Sequence, residues 1–247
     1  MDPKGKAALI TGGATGIGRA TAMRLAQLGA NIAVNYSKSD SDASATVEAI
    51  RALGRDAMAV RADVADDGQV RAMVDEVIDH FGRLDILVNS AGFTDYIHFN
   101  ELEAVTEETW DRTLAVNLKG PFHCMRAAAP HMKAAGEGCM VSVSSIAGRV
   151  ARGNSIPYCA SKAALDVLTR AMARVLAPEI RVNAVAPGVV DTRWVAGQKA
   201  LLRSAQLQTP LRRAATADDV ADAIVSLITA CDFITGQVLP VDGGITA

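Results

Sequence analysis

Four cysteines, Cys124, Cys139, Cys159 and Cys231, are spread through the sequence, and no two form a Cys-x-x-Cys pair. That spacing gives neither a thiolate zinc site nor a dithiol redox motif, so buried thiols in a reducing compartment are expected. His80, His98, His123 and His131 also lack ligand spacing, and no catalytic metal is expected. No apolar run reaches the ~18 residues a membrane span requires. Residues Met1 to Lys6 carry no charged-then-apolar secretory pattern, so a cytoplasmic protein is expected. Charge of one sign is lacking too. The 25 basic and 27 acidic residues are interspersed, which gives a nucleic-acid partner no electrostatic footprint. No Pro/Ser-rich or charge-dense linker interrupts the chain, and residues 1–247 are read as one domain.

Half of the 247 residues are apolar, enough for one large core. Short apolar runs alternate with segments of helical spacing. Strands are expected at Ala7–Thr11, Asn31–Asn35, Ala57–Val60, Leu84–Val88, Cys139–Val143, Arg181–Val185 and near Gln237–Pro240. Helices are expected at Thr15–Leu28, Asp42–Leu53, Gln69–Phe81, Thr106–Met132 with an interruption near Gly120-Pro121, Pro157–Leu176 and Ala217–Thr229. Strands apolar throughout belong in a sheet covered on both faces, and intervening helices make them parallel. The expected fold is a doubly wound Rossmann-type α/β sheet of about seven strands. Ligands bind such sheets beyond the carboxyl ends of the strands.

At the first of those ends stands Thr11-Gly12-Gly13-Ala14-Thr15-Gly16-Ile17-Gly18, between an expected strand and an expected helix. Glycines there permit a tight turn and let a pyrophosphate approach the helix N-terminus. The Gly-x-x-x-Gly-x-Gly spacing differs from the usual dinucleotide fingerprint, and a ligand-free glycine turn is the alternative. Two later strand ends offer Asp63-Val64 and Asn89-Ser90-Ala91-Gly92. A carboxylate at Asp63 suits an adenine amino group, although it could equally cap the following segment. Small residues at Ala91 and Gly92 admit a flat ring or ribose. The second strand ends in Asn35-Tyr36-Ser37-Lys38, with no acid to grip a ribose 2′-hydroxyl. A hydroxyl and an ammonium favour a 2′-phosphate, hence NADP(H) over NAD(H), unless Ser37 and Lys38 are an ordinary solvated loop.

Tyr158 and Lys162 lie four apart near the start of an expected helix, so they share a face. A tyrosine at its ordinary pKa near ~10 is a poor base at neutral pH. A neighbouring ammonium and the helix dipole would lower that value and tune it for proton transfer. An amphipathic helix with a surface lysine is the alternative. Ser144 and Ser145 end the fifth strand, where a hydroxyl could donate to an oxygen on which charge develops.

Taken in order, these elements resemble the short-chain dehydrogenase/reductase family over essentially the whole chain. The resemblance rests on Thr11 to Gly18, Asp63, Asn89 to Gly92, Asn117, Ser145, Tyr158, Lys162, and Pro187-Gly188 followed by Thr192. It implies Tyr158 as proton donor or acceptor, Ser145 as substrate-orienting hydroxyl, and Lys162 as holder of the nicotinamide ribose. Asn117 is similar to the family residue whose backbone carbonyl anchors a relay water. Thr192 is similar to the one that receives the nicotinamide carboxamide. The resemblance implies Ser145 rather than Ser144, because its thirteen-residue separation from Tyr158 matches the family's pattern.

The nearest subgroup by resemblance is the 3-oxoacyl-carrier-protein reductases and related bacterial carbonyl reductases. Where those reductases carry basic residues to meet an acidic carrier, this chain has Ala134-Ala135-Gly136-Glu137-Gly138 and Ala177-Pro178-Glu179. The expected function is therefore hydride transfer between NADP(H) or NAD(H) and a small alcohol or carbonyl. Reduction of a carrier-bound 3-oxoacyl group is one alternative, and a non-catalytic nucleotide sensor is another. Residues 189–215 could cover the substrate or form a plain surface connection. Phe93, Tyr96, Ile97 and Trp194 are candidate walls. The tail Thr235 to Gly244 resembles the family's C-terminal end, which implies a homotetramer.

Overall fold

A computed structural model describes residues 1–247. Seven strands form one parallel sheet: β1 (Ala7–Thr11), β2 (Asn31–Tyr36), β3 (Ala57–Arg61), β4 (Ile86–Asn89), β5 (Gly138–Val143), β6 (Ile180–Pro187) and β9 (Val238–Val241). Their order across the sheet is β3-β2-β1-β4-β5-β6-β9. Strand succession thus reverses between β1 and β4, which opens a crevice at their carboxyl ends. A short parallel ribbon, β7 (Val190–Asp191) with β8 (Ala215–Thr216), lies apart from the sheet.

The helices between strands are α1 (Gly16–Gln27), α2 (Asp40–Ala52), α3 (Asp67–Phe81), α4 (Glu107–Leu114), α5 (Gly120–Ala135), the short α6 (Ala147–Val150), α7 (Ile156–Leu176), α8 (Lys199–Gln208) and α9 (Ala217–Thr229). Alternation along the strands divides the core in two. Ile10, Ile32, Val34, Ile86, Val88 and Val141 pack under α1, α2 and α9. Leu9, Ala33, Leu87 and Met140 face the opposite layer, with Val74 of α3, Met125 of α5 and Leu176 of α7. Both faces are covered, which is why the strands read as unbroken apolar runs.

Three departures from the sequence expectation have local causes. The fourth strand begins at Ile86 rather than Leu84, because the buried Asp85 carboxylate accepts from the Ala7 N–H at 2.9 Å and from Arg83 at 2.7 Å. The helix expected from Gln69 starts two residues earlier, since Asp66 caps it by accepting from the Gln69 N–H. The long helix expected at Thr106–Met132 is α4 and α5 joined by a π-helical turn, Ala115–Lys119. Residues 194–211 lack strict apolar periodicity, yet hold a 3-10 turn (Arg193–Val195) and α8, whose one buried residue is Ala205. No helix is long and apolar enough to cross a membrane.

Candidate active site

A cleft of about 1430 Å³ runs along the carboxyl ends of the strands. Its floor at one end is the β1–α1 turn. Gly12 and Gly16 have φ of +62° and +53°, a region that favours glycine. A Cβ on Gly12 would stand 3.0 Å from the Ala91 Cα, so the β1 and β4 ends touch through backbone alone. A Cβ on Gly18 would lie 2.3 Å from the Gly12 carbonyl oxygen; Gly18 is there for packing beneath the turn. Thr11 Oγ1 accepts from the Ser90 and Ala91 N–H groups, each at 3.1 Å, and locks the two ends together. No side chain caps α1 and no acid lies in its first turn. Its N-terminal N–H groups therefore face the cleft with the positive end of the helix dipole, a cradle that fits a dinucleotide pyrophosphate.

Gly12, Thr15, Gly16, Ile17, Ser37, Asp63, Val64, Ala91, Gly92, Pro187, Gly188 and Thr192 all line the cleft, together with Asn117's neighbour Val116. Tyr36, Asn89 and Gly18 are not among the residues that line it. The Tyr36 hydroxyl donates to Asp40 at 2.5 Å, Asn89 is buried with its amide 3.4 Å from Ser142 Oγ, and Gly18 lies under the turn. Asp63 is engaged twice: one oxygen accepts from the Ala65 N–H at 3.0 Å and the other pairs with Arg112 at 2.9 Å. Its local capping role and its cleft position coexist.

Asn35 is a positioning residue that the sequence reading passed over. Buried at the end of β2, its amide donates to the Val60 and Ala62 carbonyls while its carbonyl oxygen accepts from the Gly12 N–H. An asparagine closing an otherwise apolar strand was the available signal. Asp42, in the first turn of α2, pairs at 3.0 Å with Arg193, which lines the cleft.

At the other end of the cleft, α7 runs past the end of β5. Ser155 caps it by accepting from the Tyr158 N–H. The half-buried Tyr158 hydroxyl meets the side chain of Ser145, whose Oγ also accepts from the Ala147 N–H at 3.1 Å. Ser144 points the other way, with its Oγ 2.5 Å from the buried Asp166 carboxylate. Lys162 is buried; its ammonium donates to the Val143 carbonyl at 2.8 Å and stands 5.6 Å from the Tyr158 ring centre.

The electrostatics differ from the sequence expectation. Burial pushes the Tyr158 hydroxyl up to about 12, against the smaller opposing effect of the Ser145 hydrogen bond. Burial pulls the Lys162 ammonium down to about 8, opposed by the nearby Asp166 charge. The lysine lies beside the ring and is turned to a carbonyl, so its charge does not offset the tyrosine's loss of water.

Asn117 sits at the middle of the π-helical turn, a feature frequent at functional sites. Its side-chain oxygen accepts from the Phe93 N–H at 2.8 Å, and its amide donates to the Phe93 carbonyl and to Ser161 Oγ. Those bonds tie the loop after β4 to α7. The regular helical partner of its own carbonyl, four residues on, is Pro121, which has no N–H to give. That proline was a legible signal. Over the cleft, the Trp194 ring lies 6.4 Å from that of Tyr158 and 3.4 Å from where a Gly92 Cβ would be. The Tyr96 hydroxyl donates to the Trp194 carbonyl at 2.6 Å.

A phosphate cradle at the switch point, continuous with a tyrosine–lysine–serine edge, defines a nicotinamide-dependent oxidoreductase of the Rossmann type. The family model described as "Enoyl-(Acyl carrier protein) reductase" matches residues 12–246. A 3-oxoacyl-[acyl-carrier-protein] reductase FabG of Staphylococcus aureus is 41% identical over 242 residues, covering 97% of each chain. A cis-4-hydroxycyclohexanecarboxylate dehydrogenase of Sinomonas cyclohexanicum is 42% identical over 246 residues, covering 98% of this chain and 97% of its own. Among solved structures, a short-chain dehydrogenase of Burkholderia cenocepacia J2315 in complex with NADP superposes with a TM-score of 0.92, 40% identity and full coverage of both chains. The chain belongs to the short-chain dehydrogenase/reductase family. It is an NAD(P)-dependent oxidoreductase acting between alcohols and carbonyls.

Proposed function

We propose that the protein reduces a small-molecule carbonyl with NADPH, using Tyr158 as the acid. The observation that carries this reading is the meeting of Tyr158, Ser145 and Lys162 at one edge of the cleft whose other end is the glycine cradle. When bound, the reduced nicotinamide supplies a hydride to the carbonyl carbon. Tyr158 gives its proton to the carbonyl oxygen. Burial raises that phenol further above neutral pH, so it holds a proton to donate when the carbonyl is reduced. Ser145, whose oxygen already accepts from Ala147, stands beside the Tyr158 hydroxyl, where its own hydroxyl would donate to the substrate oxygen. Lys162 holds the nicotinamide ribose. Asn117 offers its carbonyl to a water that resupplies the proton, and Thr192 receives the carboxamide.

Residues Gly12 to Gly18 hold the pyrophosphate, with Asp63, Val64, Asn89, Ala91, Gly92, Pro187 and Gly188 along the rest of the cofactor. Ser37 and Lys38 are exposed at the β2 end with no acid between them and the cleft, which supports NADP(H) over NAD(H). The NADP in the Burkholderia relative's structure supports the same choice. Residues 189–215 cover the substrate, since Trp194 already leans over Tyr158. The active form is a cytoplasmic homotetramer, and sedimentation to a concentration-independent monomer would refute that assembly.

A second reading, reduction of a 3-oxoacyl carrier-protein thioester, is favoured by the name of the staphylococcal relative. Turnover with simple ketones and acyl thioesters, each followed at the nicotinamide absorbance, separates the two. Preference for the carrier-bound substrate over its free thioester would establish the second.

A further inference from the structure

Three consecutive residues at the end of β5 are each linked to α7. The Val143 carbonyl accepts from the Lys162 ammonium at 2.8 Å, Ser144 Oγ donates to Asp166 at 2.5 Å, and Ser145 meets the Tyr158 hydroxyl. Tyr158, Lys162 and Asp166 are four residues apart in turn, so they form one ridge of the helix. Two of these links join groups of the proposed chemistry. The middle one does not, and its carboxylate is 6% exposed.

A carboxylate so buried is costly unless paired and hydrogen-bonded, and here burial raises its pKa against the opposing effects of the Ser144 hydrogen bond and of the Arg149, Arg170 and Lys162 charges. Ser144 approaches from β5, itself 3% exposed, with the Lys162 carbonyl as a second and longer contact at 3.3 Å. Arg149 of α6 brings Nε to 4.0 Å of the carboxylate while its Nη2 donates to the Val238 carbonyl of β9. Arg170, one turn along α7, and Lys162, one turn back, are the other charges that face it. Ser144 and Ser145 are adjacent, with side chains on opposite sides of the strand end. Clamping the first therefore fixes where the second points.

We propose that Asp166 is a positioning residue of this oxidoreductase, holding Ser144 and the neighbouring main chain so that Ser145 and Lys162 stay in register with Tyr158, and keeping a negative charge behind the Lys162 ammonium. The proposal rests on the roles given above to Tyr158, Ser145 and Lys162. Its charge opposes the burial that pulls Lys162 down to about 8. Removing the charge lets the ammonium lose its proton at lower pH.

The test compares Asp166→Asn, Asp166→Glu, Ser144→Ala and Tyr158→Phe with the parent enzyme, with steady-state rates taken over roughly pH 6 to 10 and thermal melts alongside. For Asp166→Asn we expect kcat to fall about tenfold and the alkaline limb of kcat/KM to move to lower pH. Asp166→Glu, which restores the charge, returns the limb towards its parental position. Ser144→Ala lowers kcat by a similar factor with the limb in place, because the charge remains. A folded Asp166→Asn enzyme with parental kcat and an unmoved limb would overturn the proposal. If that variant does not fold, parental kcat in Ser144→Ala overturns it instead. Parental activity in Tyr158→Phe would remove the underlying reading, an outcome distinct from either.

Discussion

The Lys162 ammonium stands 5.6 Å from the centre of the Tyr158 ring and is bonded to the Val143 carbonyl, not to the tyrosine hydroxyl. The two groups are thereby driven in opposite directions by the same burial, the phenol to about 12 and the ammonium down to about 8. Between these values the tyrosine keeps its proton while the lysine has lost its charge. The group that limits reduction as pH rises is then the lysine. We predict that kcat/KM for carbonyl reduction, which reports the free enzyme, is level at neutral pH and declines as pH rises through about 8. A profile level up to the tyrosine's range would assign the limb to Tyr158 and contradict the ordering.

On the proposed NADP(H) preference, cofactor choice would turn on Ser37. Aspartate at that position would repel a 2′-phosphate and accept from a 2′-hydroxyl. Ser37→Asp should shift the ratio of kcat/KM for NADPH over NADH by at least about tenfold towards NADH. An unchanged ratio would place the ribose elsewhere than at the β2 end.

Gly18 tests the cradle as packing rather than contact. An added methyl would meet the Gly12 carbonyl oxygen at 2.3 Å, and that oxygen is backbone, so the turn itself must move. Gly18→Ala should lower stability by about 1–3 kcal/mol and greatly reduce the rise in melting temperature that NADPH produces. An undiminished NADPH-dependent rise would show that the turn can shift without disturbing the cofactor.

Trp194 lies over Gly92 and beside Tyr158, while its carbonyl is held by Tyr96. Because that link is to main chain, Trp194→Ala removes the indole and leaves the strap attached. Substrate KM should rise about tenfold with cofactor affinity little changed. Equal losses for both ligands would mean that the indole orders the whole cleft.

The sheet was legible because its physics is local. Runs such as Ala7–Ile10 and Ile86–Val88 are apolar throughout, and the helices between them end at Gly29, Gly54 and Gly82, each at positive φ. Residues carrying chemistry at the ends of those runs were legible for the same reason. Across-cleft relationships were not. The Asp42–Arg193 pair joins residues 151 apart in the chain, and Asp63–Arg112 joins two elements with no shared periodicity. The direction of the Tyr158 shift is not legible in the spacing, which places Lys162 on the same face, whereas only the fold shows that its ammonium is turned to Val143. Asp166 was within reach, since it continues the series of four from Tyr158 through Lys162.

The central claim is that Tyr158 supplies the proton in a nicotinamide-dependent reduction. Its most direct test is NADPH oxidation followed at the nicotinamide absorbance, for the parent and Tyr158→Phe, against a panel of ketones, β-ketoesters and acyl thioesters, with NADPH affinity measured separately. Parental turnover with at least one carbonyl, a fall of about a thousandfold in Tyr158→Phe, and preserved cofactor binding are expected. A Tyr158→Phe enzyme that binds NADPH and turns over at near-parental rate would contradict the claim, and would require another proton source at the end of β5.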